Sequence, residues 1–218
     1  MSSARYDGIS EWYDATCAGS PFTTDLALRL LGGDRGRLVD VGCGTGAHTA
    51  AFSSSGWDTT GVDISADQLR LARERGVDVV QADATELPFG DATFDAAVSM
   101  WTHTDIDDFA GALGEIARVL RPNGAFVYVG GQPCFVGPHS LFAGAQGVPE
   151  LYPGYRDAGR YSNAPGVVAD GLRAKVGAVH RPLGELIQSF LDAGFALEQF
   201  EEASHDEYPF VVALRCRR

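Results

Sequence analysis

Apolar and polar positions along this chain switch between two periods, and the switches mark its elements. Short apolar runs predict strands near 37–41, 58–62, 77–81, 94–99 and 125–130, and helical spacing predicts helices over 47–55, 66–75 and 106–119. Alternation of this kind predicts a parallel sheet with helices on both faces. Upstream, Tyr6, Ile9, Trp12 and Tyr13 fall mostly at three- and four-residue spacing and form one aromatic face of a helix over 4–16. A second helix over 23–31 stops at Gly32-Gly33. The pattern fails from 132 to about 168, where prolines and glycines mix with Phe135, His139, Phe142, Tyr152, Tyr155 and Tyr161. Loops this long are functional or disordered, and the aromatic content argues for order, so the segment is expected to cover a substrate. A helix over 182–193 with Gly194 as its stop, then strands over 195–200 and 208–216, complete the chain.

Chemistry concentrates at the first predicted strand. Leu38-Val39-Asp40-Val41 runs into Gly42-Cys43-Gly44-Thr45-Gly46, a strand that turns sharply into a helix. Glycines here admit backbone conformations closed to other residues and let a ligand approach the main chain, near the free amides of the helix from about Ala47. The string Gly42-x-Gly44-x-x-Ala47 also satisfies the relaxed dinucleotide fingerprint, and Asp63 stands where that fingerprint expects its ribose-binding acid. Three features favour S-adenosylmethionine instead. Asp40 puts a carboxylate beside the place of a cationic amino acid end; Thr59-Thr60-Gly61-Val62-Asp63-Ile64-Ser65 ends a second strand on an acid; and Asp83-Ala84 follows a third.

These segments, with Val119-Leu120-Arg121-Pro122-Asn123-Gly124 ahead of the last core strand, resemble in order and spacing the class I S-adenosylmethionine-dependent methyltransferases acting on small molecules, over roughly residues 36–130. The resemblance implies a doubly wound, mostly parallel seven-stranded α/β sheet of Rossmann-like type, its last strand inserted antiparallel. It implies that Asp63 holds the ribose hydroxyls, Ile64 packs on the adenine and Asp83-Ala84 meets the adenine edge. Gly42 and Gly44 would form the cofactor loop, with Asp40, Tyr13 and Met100 completing the set. It further implies one domain in four parts: a helical lid over 1–35, a cofactor core over 36–131, a substrate cover over 132–181, and a helix and hairpin over 182–218. The usual Pro-Gly-Gly stands here as Pro122-Asn123-Gly124, and Asn accepts the positive φ such a turn needs.

Composition narrows the partners. A net charge of −12 argues against a protein that grips nucleic acid through phosphates, since only the short tail from Arg215 to Arg218 is basic. Cysteines 17, 43, 134 and 216 are scattered, so neither a zinc site nor a disulfide framework is expected, and Cys43 reads as a small buried hydrophobe. No secretory or membrane-spanning pattern is visible, which predicts a cytoplasmic protein.

Transfer of an activated methyl needs mainly an acceptor held in line with water kept out. Where a base is needed, the candidates are His103 after the fourth strand, His139 in the cover and His180 before the late helix. His48 reads as packing or capping, and Asp105, Asp107 and Asp108 as caps of the following helix. The leading expectation is methyl transfer to O, C or N of a small aromatic or apolar metabolite, in the manner of secondary metabolism. An NAD-dependent oxidoreductase and a cofactor-binding protein without turnover are the alternatives.

Overall fold

The computed structural model describes residues 4–33, 35–142 and 147–218. Helices α1 (Ser10–Thr16) and α2 (Pro21–Leu31) precede an alternating segment: β1 (Arg37–Val41), α3 (Ala47–Ser54), β2 (Asp58–Asp63), α4 (Ala66–Glu74), β3 (Asp78–Gln81), β4 (Phe94–Met100), α5 (Phe109–Val119) and β5 (Leu120–Gly131). The chain continues through β6 (Ser140–Leu141), β7 (Glu150–Leu151), β8 (Gly159–Tyr161), α6 (Leu172–Val176), β9 (Ala178–His180), α7 (Leu183–Asp192), β10 (Ala196–Ala203) and β11 (Val211–Arg217).

One seven-stranded sheet runs in the order β10-β11-β5-β4-β1-β2-β3. β1 through β5 pair in parallel, and β11 lies antiparallel between β5 and β10, as the sequence reading expects. The central strands are buried on both faces because their side chains alternate between two helical layers. Val39, Ala97, Phe126 and Tyr128 meet α5 and α7 through Phe109, Leu113, Leu186 and Phe190. Leu38, Ala96, Val98 and Val127 meet α2 and α3 through Leu26, Leu30 and Phe52. Local signals place the helix ends: Ser65 Oγ accepts from Gln68 N at 3.1 Å to cap α4, and Asp108 Oδ1 accepts from Gly111 N at 2.9 Å to cap α5.

Three expectations are revised. The first helix begins only at Ser10, because Gly8 takes φ +82° and its N–H donates to Asp67 across the fold. The Pro122-Asn123-Gly124 turn, with Asn123 at φ +65°, is absorbed as an irregularity inside β5. The cover is more regular than its sequence, holding the β6–β7 and β8–β9 ladders and α6. No helix among the described residues is long and apolar enough to cross a membrane.

Strand order reverses at β1, whose neighbours β4 and β2 carry on in opposite directions. The loops after β1 and β4 therefore diverge at their carboxyl ends and open a crevice, the usual ligand position in such sheets.

Candidate active site

A cavity of about 530 Å³ occupies this crevice. Tyr13, Gly42, Gly44, Asp63, Ile64, Asp83, Ala84 and Met100 all line it, and Asp40 borders a small adjoining recess with Tyr13, Gly42 and Trp101. The structure thus brings together every residue that the sequence pointed to for the cofactor.

The glycine loop is held by backbone need. Gly42 has φ +79°, and a Cβ there would collide with the Thr102 side chain, which reaches in from the loop after β4. Gly44, at φ +55°, donates its N–H to Asp63 Oδ2 at 3.0 Å, while Ser65 N donates to Asp63 Oδ1 at 2.9 Å. Asp63 therefore ties the loops after β1 and β2 together, with acceptor capacity left on both oxygens for a diol. Burial raises its pKa, and the two amides oppose that rise. Asp83 Oδ1 accepts from Thr85 N at 3.1 Å and from the Thr85 hydroxyl at 2.9 Å, which turns its carboxylate toward the cavity wall.

Asp40 is the most unusual acid of the set. It is 1% exposed, Oδ2 accepts from the Thr49 hydroxyl at 2.6 Å, and Oδ1 is buried without a partner. Burial, with the nearby Asp63 adding to it, raises its pKa to about 7 against the Thr49 hydrogen bond. A buried carboxylate with an orphaned oxygen beside an open recess is a receptor for a cation. An ammonium beside Asp40, a diol on Asp63 and a purine edge at Asp83-Ala84 form one donor and acceptor set, and S-adenosylmethionine carries all three groups. The residues present fit that cofactor.

The histidines fall elsewhere: among the described residues, none lines the main cavity. His103 is 3% exposed and shares a hydrogen bond with the Tyr128 hydroxyl inside the core, where burial pushes its pKa down to about 3. His139 Nε2 donates to Cys134 O at 3.1 Å, and His180 Nε2 donates to Tyr155 O at 2.7 Å. Their rings lie 5.1 Å apart inside the cover, and burial lowers the pKa of His180. All three turn inward because each finds a neutral partner there, and a buried imidazolium would be costly. His48 packs as expected, its Nδ1 2.7 Å from the Thr24 hydroxyl. Cys43 is buried, with its sulfur over Gly61.

Other residues reach the cavity unannounced. Trp101 adopts φ +65° at the end of β4, a conformation that is strained for a non-glycine residue, and lines both cavity and recess. Phe210 lies 6.1 Å from Trp101 and 5.2 Å from Phe142 between ring centroids, so three aromatic groups share one wall. Also lining the cavity, Arg173 of α6 pairs with Asp105 at 2.8 Å and donates to the Thr104 hydroxyl at 2.8 Å. Of the three acids expected to cap α5, only Asp108 does so; Asp105 faces the cavity, and Asp107 pairs with Arg5 and Arg160. Positive φ at a tryptophan and an arginine in a patternless segment leave no periodic signal.

The N-terminal segment closes one side. Asp14 accepts from the Thr45 hydroxyl at 2.5 Å and pairs with Arg75 at 2.6 Å, and the Ser65 hydroxyl donates to Asp7 at 2.5 Å. Tyr6 and Tyr13, rings 5.1 Å apart, are thereby held at the cavity, and burial raises the pKa of both phenols so that they stay neutral.

Residues 39–128 match the family model of a methyltransferase domain. Demethylmenaquinone methyltransferase from Corynebacterium kroppenstedtii is 43% identical over 88 residues, 40% of this chain and 38% of its own length. The O-methyltransferase cnsE of Penicillium expansum is 34% identical over 148 residues, 59% of this chain and 53% of its own. The chain thus spans only about half, or less, of the length of these curated relatives. In fold it resembles an S-adenosylmethionine-dependent methyltransferase from Mesorhizobium loti, with a TM-score of 0.73 at 24% identity over 97% of this chain and 99% of the other. The matched segment runs from β1 to β5 and holds the glycine loop and both strand-end acids. The family match therefore covers the segment from β1 to β5, and the rest of the chain shares the fold of the methyltransferase structure that it resembles.

Proposed function

We propose that this protein transfers a methyl group from S-adenosylmethionine to O, C or N of a small, largely aromatic or apolar acceptor. The observation that carries the reading is one cavity lined both by Gly42, Gly44, Asp63 and Asp83 and by Trp101, Phe142 and Phe210. An aromatic wall takes a flat apolar molecule and leaves little room for water. The name of the corynebacterial relative, demethylmenaquinone methyltransferase, is in keeping with such an acceptor.

The cofactor supplies a methyl group already activated on a sulfonium. Asp63 and the glycine loop would hold its ribose, Asp83-Ala84 would meet the adenine edge, and Asp40 would take the ammonium. Trp101, Phe142 and Phe210 orient the acceptor, while the Arg173–Asp105 pair offers polar contacts for one substituent. Alignment in a dry cavity reduces the entropic cost of bringing the two reactants together. Among the described residues no histidine lines the cavity, and an acceptor as acidic as a phenol would give up its proton to water.

The test is incubation with S-adenosylmethionine deuterated at the methyl, together with phenols, quinols and indoles, followed by mass spectrometry of the acceptors. Labelled product with matching S-adenosylhomocysteine is expected for at least one class. Tight cofactor binding with no label on any acceptor would instead favour a binding protein without turnover.

A further inference from the structure

We infer that Arg173 selects the methyl acceptor by an oxygen conjugated to its ring, a carbonyl or an oxyanion, an assignment that rests on the aromatic-acceptor reading of the cavity. Arg173 comes from α6 in the cover and lines the cavity with Thr104, Asp105 and Tyr161. Its side chain is 24% exposed, so the guanidinium has given up most of its water and must find its partners within the site.

Donors and acceptors around Arg173 do not balance, and the imbalance names the ligand. Asp105 Oδ1 accepts from Arg173 at 2.8 Å and its Oδ2 accepts from the Thr104 hydroxyl at 3.2 Å. The Tyr6 phenol, kept neutral by burial and by Asp105 itself, stands beside the same carboxylate. The acid is thus engaged on both oxygens. The Thr104 hydroxyl is engaged too, since it accepts from Arg173 at 2.8 Å. A guanidinium carries five N–H groups in a fixed plane, and these two bonds use two of them. Burial holds the Tyr161 phenol protonated close to Arg173, which adds a further donor at the wall. What this wall lacks is an acceptor, so its complement is an oxygen of the substrate; an ammonium would meet the guanidinium charge instead. Asp105 offsets that charge, and a neutral carbonyl therefore fits the same donors as an oxyanion does.

Equilibrium dialysis on protein saturated with S-adenosylhomocysteine tests the assignment with three probes built on one ring system: 2-naphthoate, 2-acetylnaphthalene and 2-ethylnaphthalene. Wild type is expected to bind at least one oxygen-bearing probe about tenfold more tightly than 2-ethylnaphthalene, and which of the two it prefers tells an oxyanion from a carbonyl. Arg173→Met, which keeps the length of the side chain, should shrink that preference to within threefold while 2-ethylnaphthalene still binds. Asp105→Asn keeps the shape and removes the competing charge; it should bind 2-naphthoate several-fold more tightly than wild type does, with no such gain for 2-ethylnaphthalene. Wild type without the preference, a preference that survives in Arg173→Met, or an equal loss of all three probes in that variant overturns the assignment and leaves the aromatic-acceptor reading standing. Wild-type protein that takes up S-adenosylhomocysteine and none of the three probes overturns both.

Discussion

At the scale of single residues, the acids do unequal work. Asp63 is a structural brace as well as a ligand, because Gly44 and Ser65 amides both end on it. Asp63→Asn keeps the shape and should weaken binding of S-adenosylhomocysteine by about 1.5–3 kcal/mol, the range for a hydrogen bond to a charged group. Asp63→Ala should in addition lower the melting temperature, since both of those amides lose the carboxylate they donate to; unchanged affinity in both variants would remove Asp63 from the ribose. Asp40 makes a different prediction. With its pKa raised to about 7, it carries a proton for part of the time near neutral pH, and an ammonium docking beside it pulls that pKa down. Binding of S-adenosylhomocysteine at a pH just below neutrality should therefore release protons, seen as an enthalpy that varies with the ionisation heat of the buffer. Asp40→Asn should make that enthalpy independent of buffer, and a wild-type enthalpy with no such dependence would count against an ammonium at Asp40.

At the scale of elements, two segments outside the sheet complete the cavity, and both are held by long-range polar bonds rather than by their own periodicity. α1 is only seven residues long, too short to be stable alone, and it is placed by Asp14 on Thr45 and Arg75. Asp14→Ala should speed cofactor dissociation several-fold in stopped-flow experiments while changing the melting temperature little, because the residue lies over the site and not in the core. Unaltered dissociation would mean that the segment does not retain the cofactor. In the cover, Tyr155 is an anchor and not a substrate contact: its hydroxyl accepts from Leu183 N at 2.9 Å and its carbonyl accepts from His180. Tyr152 likewise stands away from the cavity, whereas Phe142 and Tyr161 of the same aromatic set reach it.

At the scale of the whole molecule, buried neutral histidines couple stability to pH. His103 has a folded pKa of about 3, below its ordinary 6.5, so between those values the unfolded chain takes up a proton that the folded chain refuses. Its contribution is fully present above pH 6.5 and is lost as pH falls toward 3, by about 1.4 kcal/mol per pH unit. His48, lowered to about 4 by burial, acts in the same direction, while Asp40, raised to about 7, acts in the opposite one. Comparison of wild type with His103→Gln isolates the first effect. Urea unfolding between about pH 6 and 4 should show wild type losing stability more steeply than the variant by that slope. Parallel pH profiles would mean that His103 titrates normally in the folded protein.

The sequence alone determined the β/α alternation, the glycine loop and the acids at the ends of β1 and β2, because each is a local consequence of backbone chemistry. A strand must end, a glycine must supply the turn, and an acid at a strand's carboxyl end stands near the crevice above the sheet. The cap of α5 was legible only as one of three neighbouring acids, and the fold made it Asp108. Side-chain direction in the connecting segments was not legible in this way. His103, His139 and His180 lie in segments sent toward the substrate end, yet each turned inward, His103 and His180 to a hydroxyl and a carbonyl 25 positions away and His139 to a carbonyl five positions away. Arg173 and Asp105, 68 positions apart, paired at the cavity wall, and Trp101 took a strained backbone to reach it. Only the tertiary structure decided these, since the energy of a buried polar or aromatic group depends on partners that sequence spacing does not place.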